Sequence, residues 1–158
     1  MNILYTFWGI KGGGALYSYE VCKEIAKIKD KNSFYISISD KNTYKKQFLK
    51  LGRNIYFIRG IHNPNDFLKY QLFLKNRFLK ELKHYIQTKN INLIILGMHH
   101  AISDLIVDVV NELNIGLILI VHEPKTHVGS SMLNKLLFNY QRNKLFKNSD
   151  GFISLTDS

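Results

Sequence analysis

Short apolar runs alternate with longer segments of helical period along this chain. We predict strands at residues 3–8, 33–39, 54–58, 93–98, 116–121 and 151–155, and helices at about 15–29, 43–51, 64–88, 100–113 and 130–148. Most strand runs are apolar at nearly every position, which is typical of strands covered on both faces. The pattern predicts an α/β fold, a Rossmann-like parallel sheet of about six strands with helices on both faces, in a single domain over residues 1–158.

Composition limits the partners of such a domain. The 22 Lys and Arg residues outnumber the 12 Asp and Glu residues, and the resulting net charge of +10 attracts nucleic acid, phosphorylated ligands or an anionic membrane. Nucleic acid is the weakest of these candidates, because no base-reading module accompanies the charge.

The single cysteine, Cys22, cannot form an internal disulfide, and no Cys/His spacing predicts a metal site. The chain shows neither a membrane-spanning run nor a signal-peptide pattern, so we expect a cytoplasmic protein.

The first predicted strand runs into a glycine turn that precedes a helix. In such turns the backbone N–H groups can approach an anion, to which a nearby lysine adds a full positive charge. The turn consists of Lys11, Gly12, Gly13 and Gly14. It matches neither the dinucleotide-binding G-x-G-x-x-G pattern nor a Walker loop, which disfavours a dehydrogenase or a kinase. It either contacts a phosphate-bearing ligand or is a tight strand-to-helix turn without one.

A histidine pair, His99 and His100, follows the fourth predicted strand. It is a candidate for ligand contact, and the alternatives are a helix N-cap or a buried, hydrogen-bonded imidazole. Adjacent histidines do not share a helix face, so a metal site is disfavoured.

The loop after the fifth predicted strand carries side chains suited to acid/base work or to binding hydroxyl groups, and an ordinary solvated loop is the alternative. These residues are His122, Glu123, Lys125 and His127. Ligands of open parallel sheets bind outside the carboxyl ends of the strands. We therefore expect the loops at residues 8–14, 59–63 and 122–129 to share one rim.

The longest predicted helix, at residues 64–88, has two different faces. Apolar residues on one wide arc are predicted to face the core: Phe67, Leu68, Leu72, Leu74, Phe78, Leu79, Leu82, Tyr85 and Ile86. Phe73 lies opposite, among the basic residues Lys69, Arg77 and Lys80. An aromatic side chain within a basic face suits an anionic membrane interface, and a single exposed Phe on a solvated face is the alternative.

Taken together, these segments resemble the amino-terminal domain of a GT-B glycosyltransferase, in particular of the retaining family 4. The resemblance covers the whole chain and rests on four places: the glycine turn, Met98-His99-His100, Val121-His122-Glu123, and residues 148–158. The last of these is similar to the family's segment in which an apolar strand leads into Ser-Glu.

The resemblance implies that His99 and His100 are catalytic, with one contacting the donor sugar. It implies that the glycine turn and the loop at residues 122–127 bind donor and acceptor. The activity would be that of a hexosyltransferase of polysaccharide biosynthesis, moving a sugar from a nucleotide sugar to a glycan or lipid-linked acceptor with no metal or other cofactor, in the cytoplasm or peripherally on the cell membrane.

The family's carboxyl-terminal donor-binding domain is absent from these residues. We therefore expect the isolated domain to be inactive unless that domain is supplied in cis or in trans. The alternative is a non-catalytic subunit of a split glycosyltransferase, which docks the acceptor or the membrane.

Overall fold

The computed structural model describes residues 1–28, 30, 33–61, 64–121 and 132–154. Its strands are β1 (Asn2–Phe7), β2 (Phe34–Ser39), β3 (Asn54–Ile58), β4 (Ile91–Leu96), β5 (Gly116–Val121) and β6 (Gly151–Ser154). Its helices are α1 (Gly13–Ile28), α2 (Lys45–Lys50), α3 (Pro64–Lys69), α4 (Lys75–Thr88), α5 (Leu105–Leu113) and α6 (Met132–Lys147), and a π-helical segment, Tyr70–Leu74, joins α3 to α4. The six strand predictions are confirmed, with ends that differ by at most two residues.

All six strands pair in parallel, in the order β3-β2-β1-β4-β5-β6. The chain adds strands outward from β1 to β3, then returns to place β4 on the other side of β1. In open parallel sheets such a switch in strand order opens a crevice at the carboxyl ends of the strands. The predicted fold class is confirmed, and the topology places the crevice between the ends of β1 and β4.

Successive side chains of β1 enter two different cores. Ile3 and Tyr5 pack with buried residues of α1 and α2, whereas Leu4 packs with buried residues of α4, α5 and α6. Side chains alternate across a strand, so helices on both faces of the sheet explain why the strand sequence is apolar without interruption. Among the described residues, no helix is both long and apolar enough to cross a bilayer.

The helix predicted at residues 64–88 is interrupted by the π-helical segment. A π turn contains more residues than an α turn, so it changes the direction in which the following side chains point. Phe78, Leu82 and Ile86 are buried as predicted, but Leu72 is 65% exposed. Its assignment to the core arc was wrong, because that arc assumed one uniform helical period.

The helix predicted to begin at residue 100 begins instead at Leu105. Residues 100–104 form consecutive turns, the first of which is closed by the Ser103 N–H donating to the His100 carbonyl at 2.9 Å. The histidine pair therefore lies in the strand-to-helix connection rather than on a regular helix face.

Candidate functional site

The glycine turn connects β1 directly to α1. Gly12 has a φ of 90°, which residues with a side chain rarely adopt, and its carbonyl accepts the Ala15 N–H at 3.1 Å. Helix α1 therefore begins at Gly13, with Lys11, Gly12 and Gly13 exposed at its amino-terminal end. The first N–H groups of a helix have no intrahelical acceptor, so this end offers hydrogen-bond donors and a partial positive charge to an anion.

Met98 brings the glycine turn and the histidine pair together. A Cβ atom on Gly14 would lie 2.7 Å from the Sδ and Cε atoms of Met98. The missing side chain of Gly14 therefore lets Met98 approach the start of α1. The Gly97 N–H donates to a β1 carbonyl at 2.9 Å and so extends the pairing of β1 with β4. His99 and His100 come directly after Met98, beyond the end of β4, where the strand order switches beside β1.

His100 is half-buried, and one of its ring nitrogens is left without a hydrogen bond. Its backbone N–H donates to Ser103 Oγ at 2.8 Å, but its Nδ1 atom is buried and has no hydrogen-bond partner within the part of the chain that the structure describes. Burial lowers the pKa of His100 to about 4, so its ring is neutral at pH 7.

His99 is also neutral at pH 7, and it lies near a cation from α6. Burial, together with the charges of His100 and Arg142, lowers the pKa of His99 to about 4. Helix α6 is held at this place by Gln141, whose Nε2 atom donates to Asp104 Oδ1 at 3.3 Å and to the Ala101 carbonyl at 2.7 Å. Sequence analysis missed both α6 residues, because a contact between α6 and the end of β4 leaves no local pattern.

Two kinds of chemistry adjoin at this crevice. The glycine turn and Lys11 favour an anion, as the first turn of a helix does in many phosphate sites. A neutral imidazole has one donor and one acceptor nitrogen, which suits an uncharged hydroxyl group and allows proton transfer to or from it. A ligand that carries both a phosphate and hydroxyl groups matches this arrangement.

The remaining predicted site residues fall into two groups. His122, Glu123, Lys125 and His127 lie outside the described residues. Lys69, Phe73, Arg77 and Lys80 are exposed on α3, the π-helical segment and α4. Within the described ranges, no group of three or more His, Cys, Asp and Glu side chains is arranged to hold a metal ion.

A cavity of about 470 Å³ lies between α4 and the last turn of α5. Its lining includes Lys80, Lys83, His84 and Glu112. Lys83 forms an ion pair with Glu112, which offsets part of the positive charge there. Its lining includes no residue of the glycine turn or of the histidine pair.

The parallel strand order and the glycine turn at its switch define a Rossmann-like α/β domain. No protein-family model matches the sequence, and comparison with curated proteins gives no match. Solved structures do share the fold. HepE from Anabaena, solved in complex with UDP and glucose, matches with a TM-score of 0.64 and 11% identity, over 96% of this chain and 37% of HepE.

Two further solved structures give a similar result. MurG from Acinetobacter baumannii matches with a TM-score of 0.60 and 11% identity, over 98% of this chain and 41% of MurG. A putative UDP-N-acetylglucosamine 2-epimerase from Listeria monocytogenes matches with a TM-score of 0.63 and 10% identity, over 99% of this chain and 39% of that protein.

At these identities the likeness establishes the fold. The predicted Rossmann-like fold of the GT-B type is confirmed, while membership of family 4 stays a prediction. This chain spans about two fifths of the length of the structures that it matches.

Proposed function

We propose that this chain is the acceptor-side half of a GT-B glycosyltransferase, which moves a sugar from a nucleotide sugar to a glycan or lipid-linked acceptor. The observation that carries the proposal is the contact between Gly14 and Met98, which brings the glycine turn close to two imidazoles that are neutral at pH 7. A nucleotide sugar presents phosphates and hydroxyl groups next to each other. The structural likeness to HepE, solved with UDP and glucose, supports the same ligand class.

In this proposal each part of the crevice has its own role. The glycine turn, including Lys11, faces the donor pyrophosphate, and one imidazole of the histidine pair contacts the sugar that is transferred. The loop at residues 122–127 shapes the acceptor pocket. A second domain, in cis or in trans, binds the nucleotide, and the reaction retains the anomeric configuration without a metal. The competing proposal is a non-catalytic subunit that only docks the acceptor or the membrane.

Sugar transfer is the decisive measurement. We expect the chain, joined to or mixed with its donor-binding half, to transfer labelled sugar from a UDP- or GDP-sugar. Substitution of His99 or His100 by Gln should lower the transfer rate by about tenfold or more, because a positioned proton donor or acceptor is lost. The matched control is His84→Gln, which changes a histidine on α4 that is remote from the crevice.

Three outcomes are distinguishable. Transfer that depends on the histidine pair supports the enzyme. Nucleotide binding by the assembled halves, with equal transfer in both histidine variants and in wild type, would remove the histidines from the site. An assembly that neither binds nucleotide nor transfers sugar to any acceptor would contradict the proposed function.

We also propose that the outer face of α3 and α4 rests on an anionic membrane. Leu72 and Phe73 are 65% and 76% exposed in the π-helical segment, which directs both of them outward. Lys69, Arg77 and Lys80 are exposed around them, although Arg77 pairs with Glu81 at 2.7 Å. Apolar side chains surrounded by cations are typical of helices that lie at a lipid interface.

Replacement of Phe73 by Ser should weaken binding to phosphatidylglycerol liposomes by about tenfold, since burial of a Phe side chain contributes about 1.5–3 kcal/mol. Liposome sedimentation measures this, and thermal unfolding should be unchanged because Phe73 is exposed. The control is Phe152→Ser, at an exposed position on β6. Equal liposome binding by the two variants would remove the membrane face from the proposal.

A further inference from the structure

Three cations follow the carboxyl ends of three neighbouring strands. Lys11 follows β1, Lys41 follows β2 and Arg59 follows β3, and all three are exposed. We call this set the basic rim. Adjacent strands lie about 4.8 Å apart, so three neighbouring strand ends span about 10 Å, a distance that Lys and Arg side chains can bridge. No ion pair in the described part of the chain involves any of the three.

Hydrogen bonds hold the β1 and β2 loops of the basic rim together. Asn42 is 4% exposed, and its Nδ2 atom donates to the Gly9 carbonyl at 3.0 Å. The next residue, Thr43, donates its N–H to the Ile10 carbonyl at 2.8 Å. The residues just before Lys11 are therefore fixed to the residues just after Lys41. A buried side-chain amide in this role is costly to remove, since both loops would lose a bonded partner.

The β3 loop is fixed to the same unit. Asp40 Oδ1 accepts the Gly60 N–H at 2.8 Å, and the Asp40 N–H donates to the Ile58 carbonyl at 2.8 Å. A Cβ atom on Gly60 would lie 2.5 Å from Ser39 Oγ and 3.4 Å from Ile10 Cδ1, so the glycine lets the three loops pack closely. The Asp40 carboxylate, whose Oδ1 atom accepts the Gly60 N–H, offsets only one of the three positive charges of the rim.

We propose that Lys41 and Arg59 of the basic rim bind a phosphate or diphosphate group of the acceptor, with Lys11 lying between this group and the donor pyrophosphate. The assignment of this group to the acceptor rests on the proposed function. Lys41 and Arg59 lie on the β3 side of the glycine turn, Lys11 lies in the turn itself, and the histidine pair lies on the β4 side, so one ligand can contact both sides of the turn. The guanidinium of Arg59 can contact two phosphate oxygens at once, and the lysines add point charges. Because the loops are already held together, binding does not require their backbones to be ordered first.

The test uses inorganic pyrophosphate, geranyl diphosphate and UDP, titrated into the chain and followed by ¹⁵N NMR. We expect inorganic pyrophosphate and geranyl diphosphate to bind. Lys41→Gln and Arg59→Gln should each weaken that binding by about tenfold, because each removes a charge-assisted hydrogen bond. Added salt should weaken it further. The control is Lys50→Gln, which makes the same charge change at the exposed far end of α2.

The named outcomes separate this inference from the proposed function. The inference is overturned if wild type binds no diphosphate, if the rim variants bind as well as wild type, or if Lys50→Gln loses as much affinity. Rim-dependent binding of UDP without binding of geranyl diphosphate would overturn the assignment to the acceptor. If the rim binds inorganic pyrophosphate and geranyl diphosphate but the assembled protein transfers no sugar, the proposed function fails and the anion site stands.

Discussion

The free energy of unfolding should fall by several kcal/mol between pH 7 and pH 4 because of His99 and His100. The pKa of each ring is about 4 in the folded chain, against an ordinary value of 6.5. Between these values the unfolded chain binds more protons than the folded chain, so stability rises with pH. This contribution is fully present above pH 6.5 and is lost as the pH falls toward 4. Each unit of difference corresponds to about 1.4 kcal/mol for each ring.

Urea unfolding at pH 7, 6, 5 and 4 measures the effect in wild type and in the double variant His99→Gln/His100→Gln. Between pH 7 and pH 4 the free energy of unfolding of the variant should fall clearly less than that of wild type. The contribution of Asp104 to the pH dependence of stability has the opposite sign. Burial raises the pKa of Asp104, so its contribution is lost as the pH rises through that pKa. Both proteins contain Asp104, so its contribution cancels in the comparison to a first approximation. Identical pH dependence in the two proteins would mean that the rings are not buried as described.

Substitution of Gly97 by Ala should lower the free energy of unfolding by about 1–3 kcal/mol, the usual cost of overfilling a packed interior. A Cβ atom there would lie 2.0 Å from the Tyr5 hydroxyl oxygen and 2.4 Å from its Cζ atom. The Tyr5 ring is rigid and fully buried, and its hydroxyl group donates to Ser18 Oγ at 3.1 Å. Displacement of the Tyr5 ring would cost free energy, so the end of β4 must shift instead.

Chemical denaturation of matched variants checks this prediction. Gly13→Ala is the control, because a Cβ atom at Gly13 has no atom within 4 Å and its φ is not positive. Its stability should equal or slightly exceed that of wild type. In a Tyr5→Leu background, Gly97→Ala should cost less than it does alone, as the clash is then relieved. A Gly97→Ala chain as stable as wild type would show that the end of β4 moves without cost.

Much of the fold followed from local patterns. The six strands appeared as apolar runs because both faces of a parallel sheet are covered, and the turn before α1 appeared as three glycines because a positive φ is needed at Gly12. The π-helical segment was not predicted, since a regular period of 3.6 residues cannot represent a wider turn. Leu72 was misplaced for that reason.

The candidate site was predicted only in part. The glycine turn and the histidine pair were recognised because glycine and histidine carry distinctive chemistry after strands. Gln141, Arg142 and Lys41 were not recognised as site residues, because polar side chains on helices and loops are usually solvated. Arg59 lies in the loop at residues 59–63, which was predicted to share the rim, but it was not singled out as a site residue. Only the contacts of α6 with the end of β4, and of the three loops with one another, distinguish them.

The sequence by itself determined where the chain forms strands, that helices cover both faces of the sheet, and which turn opens α1. These properties depend on the period of the side chains and on backbone conformations within a few residues. The tertiary structure alone decided which strand ends are neighbours, because the return of the chain from β3 to β4 sets the strand order and involves residues far apart in sequence. That order places the histidine pair on one side of the glycine turn, and Lys41 and Arg59 of the basic rim on the other.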